Sequence, residues 1–182
     1  MPRTAHQQTM TDLLIRFKRH PDLSASITCT RRNGSVTWQR QRGQLGMVFP
    51  PHDLTHFAVE STLGYRQGFY GLLSDGWEIG DFAVPWPRGP IPPEALEVEI
   101  LVGCFDAERR NGAQWPVDEF NSHATTYVLA QAAVRHEVAM VPRMLTDDEL
   151  RNVRATRDAL FARWFALEAG AEMMLEFTRP PG

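Results

Sequence analysis

Cysteine and lysine are nearly absent from this chain. Cys29 and Cys104 stand alone with no Cys-x-x-Cys spacing, so neither a structural zinc knot nor a disulfide framework is supported, and both read as small buried hydrophobes. Lys18 is the single lysine, so positive charge is carried almost wholly by Arg. No apolar run approaches the roughly 18 residues of a membrane span, which argues against a membrane partner. The segment Met1 to Met10 lacks the apolar stretch of a signal peptide, and the expected location is cytoplasmic. Neither a phosphate-cradling Gly loop nor a nucleophile elbow is present. The substrate class, small molecule or peptide, is therefore left open.

What is there suffices for one domain over residues 1–182: the chain has 43% hydrophobic residues and can bury a sizeable core. The net charge of -3 is unevenly spread, because residues 1–43 carry +6 and the remainder -9. A basic N-terminal hairpin can meet phosphate. Exposed strand faces commonly carry Arg, however, and no RNP-like aromatic motif accompanies these, so nucleic acid is not the expected partner. A homo-oligomer stays open.

Partly alternating segments predict strands at Leu13 to Lys18, Ser26 to Thr30 and Val36 to Arg40, the last two joined by a hairpin turn at Asn33-Gly34. A helix is expected after Pro50-Pro51, ending near Gly64, followed by a short helix within Tyr65 to Gly76. The Pro-rich stretch Ala83 to Pro93 reads as a loop. A long helix is expected from Pro93 to about Arg110, stopped by Asn111-Gly112. On it Leu96, Ile100, Gly103, Cys104 and Ala107 form one stripe and Val98, Leu101 and Phe105 another, which implies burial on two sides. A further helix is expected from Val117 to Glu137. The last is introduced by the capping box Thr146-Asp147-Asp148-Glu149, runs with Leu150, Val153, Leu160, Trp164 and Leu167 on one face, and is expected to stop at Gly170. Arg151, Arg154 and Arg163 read as solvated. Met173 to Phe177 looks like a strand returning to the N-terminal sheet. Strands at both ends with helices between predict an α+β fold, a small antiparallel or mixed sheet covered by helices.

The most informative run is His52-Asp53-Leu54-Thr55-His56-Phe57-Ala58-Val59-Glu60. At about 100° per residue, His52, Asp53, His56 and Glu60 share one sector of a helix, flanked by Val59 and Leu63. Burying such groups unpaired costs several kcal/mol, so the stripe needs a partner, and a divalent transition metal, zinc before others, is the expected one. The spacing resembles the metal helix of zincin-type metallohydrolases, His-Glu-x-x-His, in which two histidines bind zinc and the Glu acts as general base. That resemblance covers these few residues only and implies metal-dependent hydrolysis with His52 and His56 as ligands; on this expectation Asp53 or Glu60 would orient or deprotonate a metal-held water. Asp53 stands where zincins carry Glu and is shorter by a methylene. The adjacent His52-Asp53 pair also resembles the dyad of HD-type phosphohydrolases. That family needs an upstream His on another helix, and the nearby His20 lies in an expected turn.

A third ligand is expected from another helix. His123 falls in a stripe with Phe120, Tyr127, Ala130 and Val134, which turns it toward the core with Glu119 one turn before it. Glu97 and Glu99 can also reach a metal, while His6 and His136 attract no role. The competing expectation is a non-catalytic interaction protein, with Trp77, Trp86, Trp115 and the Pro-rich loop as its partner surface and structural roles for His52 and His56.

Overall fold

A computed structural model describes residues 11–83, 86–135 and 141–181. His6, Val84, Pro85, His136 and Glu137 lie outside the described residues, as does the side chain of Val134. Four strands, β1 (Leu13–Arg19), β2 (Ala25–Arg31), β3 (Val36–Gln41) and β4 (Glu172–Phe177), form an antiparallel sheet in the order β3-β2-β1-β4. The C-terminal strand does return to β1, with Leu13 opposite Phe177 and Ile15 opposite Leu175. Alternation explains the sheet's two faces: Leu13, Ile15 and Phe17 are buried, as are Ile27, Cys29, Met173 and Leu175, whereas Trp38 and Met174 are exposed. The turn between β2 and β3 places Gly34 at φ 83°, the conformation that the Asn33-Gly34 pair predicts.

Five helices complete this single α+β domain: α1 (Gln44–Leu63), α2 (Phe69–Ser74), α3 (Pro93–Asn111), α4 (Val117–Arg135) and α5 (Asp147–Phe165). Helix α1 packs against β2, α3 and α5. It starts earlier than expected, at Gln44, with Pro50 and Pro51 inside it. Two ladder bonds are forfeited there because proline has no N–H. Burial of both prolines and close seating of Gly46 accompany that loss, since a Cβ on Gly46 would lie 2.8 Å from the Leu23 carbonyl oxygen.

Left-handed glycines end α1 at Gly64 and α3 at Gly112, as expected. The capping box of α5 is formed, Thr146 Oγ1 accepting from Glu149 N at 3.2 Å. That helix ends at Phe165, not at Gly170, which instead turns the chain into β4 and donates to the Arg19 carbonyl at 2.6 Å. Its inward face carries Leu150, Val153, Leu160 and Trp164 as predicted, and Trp164 meets Phe17 edge-on at 6.1 Å. Arg154 is not solvated. It pairs with Glu108, which is 1% exposed, and donates to the Trp115 carbonyl at 2.7 Å. Among the described residues no helix is long and apolar enough to cross a membrane.

Candidate metal centre

His52 and His56 stand one turn apart on α1 and face α3. His52 contacts Asp106 and His56 contacts Glu99, so the earlier histidine meets the later carboxylate and the two helices cross in an antiparallel sense. Asp106 is seven residues beyond Glu99, two turns along one face of α3. Among the described residues, His52, His56 and Glu99 form the one group of three metal-ligating side chains, their ligand atoms all within 4.8 Å of one another.

Each imidazole has its Nδ1 turned to a carboxylate on one side and its Nε2 turned to Glu99 on the other. His52 Nδ1 is 2.8 Å from Asp106 Oδ2, which makes Nδ1 the protonated donor, and its Nε2 is 4.0 Å from Glu99 Oε1. His56 Nδ1 is 3.6 Å from Glu60 Oε1, too far for a hydrogen bond, and its Nε2 is 3.1 Å from Glu99 Oε2. His56 Nδ1 is buried with no hydrogen-bond partner. Burial pushes the His56 imidazole down, but the flanking Glu60 and Glu99 carboxylates outweigh it and raise its pKa to about 10. Burial likewise opposes ionisation of Glu99, yet the His56 contact holds its pKa at about 2.

Glu60 is fully buried and its carboxylate accepts from Tyr70 N at 3.0 Å and Gly71 N at 3.2 Å. It is tied to the start of α2 behind His56, not facing the open side of the cluster. Asp53 is turned toward the sheet, where it lines a small crevice with Phe17, Ile27 and Pro50. Desolvation there raises its pKa to about 6. Neither Asp53 nor Glu60 belongs to the His52, His56 and Glu99 group, although the Asp53 carboxylate feels the charges of all three.

His123 is not in the cluster. Its side chain is 49% exposed and stacks on Trp115, with ring centroids 4.1 Å apart. Among the described side chains of α4 the buried ones are Phe120, Asn121, Ala124 and Val128, one sector round from the predicted stripe, because Asn121 is drawn inward to bond both backbone groups of Leu145. Glu97 is engaged elsewhere, accepting from Arg143 N at 2.6 Å. Asp106 was missed by sequence reasoning. Its signal was a carboxylate at i+7 from Glu99, set among the buried Val102 and Phe105. Compared with family models, curated proteins and solved structures, the chain matches none.

Proposed function

We propose that the protein binds one divalent transition metal, zinc before others, through His52 Nε2, His56 Nε2 and a Glu99 carboxylate oxygen. The observation that carries this reading is the paired orientation of the imidazoles, each with Nδ1 toward a carboxylate and Nε2 toward Glu99. Metal-bound histidines use the other ring nitrogen to fix ring orientation and raise basicity; His52 does so through its 2.8 Å bond to Asp106, while His56 Nδ1 faces Glu60 at 3.6 Å without a hydrogen bond. A zinc about 2.0 to 2.1 Å from each ligand sets tetrahedral neighbours roughly 3.3 Å apart. His56 Nε2 and Glu99 Oε2, 3.1 Å apart, already fit; His52 Nε2 lies 4.0 Å from the other oxygen, Oε1, and the ligand atoms span up to 4.8 Å, so binding requires Glu99, whose side chain is 59% exposed, to turn and the group to draw together.

Two imidazoles and one carboxylate form a three-ligand set that leaves a fourth position to solvent. Zinc held there lowers the pKa of its water toward about 7, the chemistry of a metal-dependent hydrolase. Neither Asp53 nor Glu60 serves as general base in this reading; Glu60 positions His56. Two free buried cysteines accord with a cytoplasmic setting.

A second reading makes the histidines structural in a non-catalytic interaction protein. It is favoured by the 3.1 Å contact, which satisfies His56 Nε2 with a proton in place of a metal. Equilibrium dialysis of the chelator-stripped, untagged chain against zinc separates the two. One zinc per chain, with two nitrogen ligands at 2.0 to 2.1 Å by X-ray absorption, is the expected result. Failure to retain zinc selects the structural reading.

A further inference from the structure

Glu99 also stands at one end of a cleft between α3 and α4. The cleft has a volume of about 280 Å³, with Ile100, Gly103 and Ala107 on its α3 side, Trp115 and Tyr127 opposite, and Arg110 at the far end from Glu99. Eleven residues separate Glu99 from Arg110, about 16 Å along a helix, so the cleft is elongated. Its volume lies at the lower edge of ligand pockets, which run from about 300 to 1,000 Å³, and suits a small molecule better than a polymer. Of the stripe Leu96, Ile100, Gly103, Cys104 and Ala107, expected to be buried, Cys104 is buried and Leu96 is exposed, and the last four residues line this cleft.

Two observations say what fits. The walls are apolar and aromatic, Trp115 being held in place by the stack of its ring on His123 and by its backbone N–H, which donates to buried Glu108 at 2.8 Å. Arg110 has no hydrogen-bond or ion-pair partner among the described residues, although its neighbour Arg109 is paired with Asp106 at 3.4 Å. An unpaired guanidinium at the end of an apolar slot recognises a carboxylate bidentately.

We infer that this cleft binds a small carboxylic acid with an aromatic or apolar body, its carboxylate on Arg110, its body against Trp115 and Tyr127, and its other end beside Glu99. Only the last element rests on the metal reading: a ligand so placed presents a group other than its carboxylate to the proposed metal. Carboxylate recognition itself belongs to the metal-free protein.

The test uses the full chain stripped of metal, with 4-phenylbutyrate as probe and the uncharged 4-phenylbutyramide as its twin, followed by amide and indole NMR shifts. Saturable shifts at Gly103, Ala107, Trp115 and Tyr127 are expected, with the acid binding about tenfold tighter than the amide. Arg110→Gln abolishes that preference. Gly103→Leu blocks both probes by filling the cleft, without lowering the unfolding midpoint, since a Cβ at Gly103 meets no atom within 4 Å. Equal affinity for the two probes, an acid preference retained by Arg110→Gln, or shifts that do not saturate overturns the inference. Zinc alone is titrated separately into the same preparation. Zinc binding without acid binding overturns the cleft assignment only, whereas acid binding without zinc binding supports it and overturns the metal reading.

Discussion

His52 Nδ1 lies 2.8 Å from Asp106 Oδ2, a contact that decides which nitrogen His52 presents to Glu99. Removing an outer partner of this kind costs about 10- to 100-fold in metal affinity. Asp106→Ala is therefore expected to weaken zinc binding by that factor while leaving both histidines in place, measured by competition with a chromophoric chelator. Unchanged affinity would show that His52 is not held by Asp106 as a ligand.

The His56–Glu99 pair gives the metal-free protein a pH signature. The folded pKa of His56, about 10, lies above its ordinary 6.5, so its stabilisation is complete below pH 6.5 and is lost as pH rises through 10. Glu99 runs the other way. Its folded value of about 2 lies below 4.5, so its share is present above pH 4.5 and disappears as pH falls through 2. Urea midpoints of wild type are expected to decline from pH 6.5 toward 10, and His56→Gln to flatten that decline. Parallel profiles for the two proteins would exclude His56 as its source.

Much of the fold was legible because its signals are local. Alternation marks β1, β2 and β4, the Asn33-Gly34 turn sets the hairpin, and Gly64, Gly112 and the Thr146–Glu149 box fix helix ends with their own backbone chemistry. Two of the three clustered side chains were also legible, since i,i+4 spacing alone places His52 beside His56. The rest depends on what crosses between elements. The sector of α1 cannot say that Asp53 turns to the sheet while His52 turns to α3, and the stripe on α4 cannot register that Asn121 goes inward to serve Leu145, which leaves His123 outside. The interior prolines hid the first two turns of α1 because propensity weighs Pro50 and Pro51 locally, without the seat that Gly46 finds against Leu23 and Gln41.

Two residues of α5 should separate sharply from a third. Trp164 is 5% exposed, so Trp164→Ala is expected to cost about 3 to 5 kcal/mol. Arg154→Ala strands the buried Glu108 carboxylate, for which removal of one partner costs about 3 to 5 kcal/mol; the lower end applies, because Arg157 remains within 3.9 Å. Among the described residues Arg151 pairs only with the exposed Asp147 and Asp148, so Arg151→Ala should cost less than about 1 kcal/mol. Denaturant unfolding of the three variants checks the order. An Arg154 variant as stable as the Arg151 variant would mean that Glu108 is reached by water.

Gly68 bears on the site from behind. It stands at the N-cap of α2, and a Cβ built there falls within 3.0 Å of the Glu60 side chain, closer than real Cβ contacts come. Gly68→Ala must push the carboxylate away from Tyr70 N and Gly71 N, the donors that hold it beside His56. Leaving a buried acceptor or donor unsatisfied costs about 1 to 3 kcal/mol, and that loss of stability is expected on urea unfolding. Because Glu60 is the carboxylate nearest His56 Nδ1, the same variant should also bind zinc more weakly than wild type. A stability loss with full zinc affinity would leave Glu60 as a brace for α2 alone, and neither effect would mean that α2 yields to the methyl without moving the carboxylate.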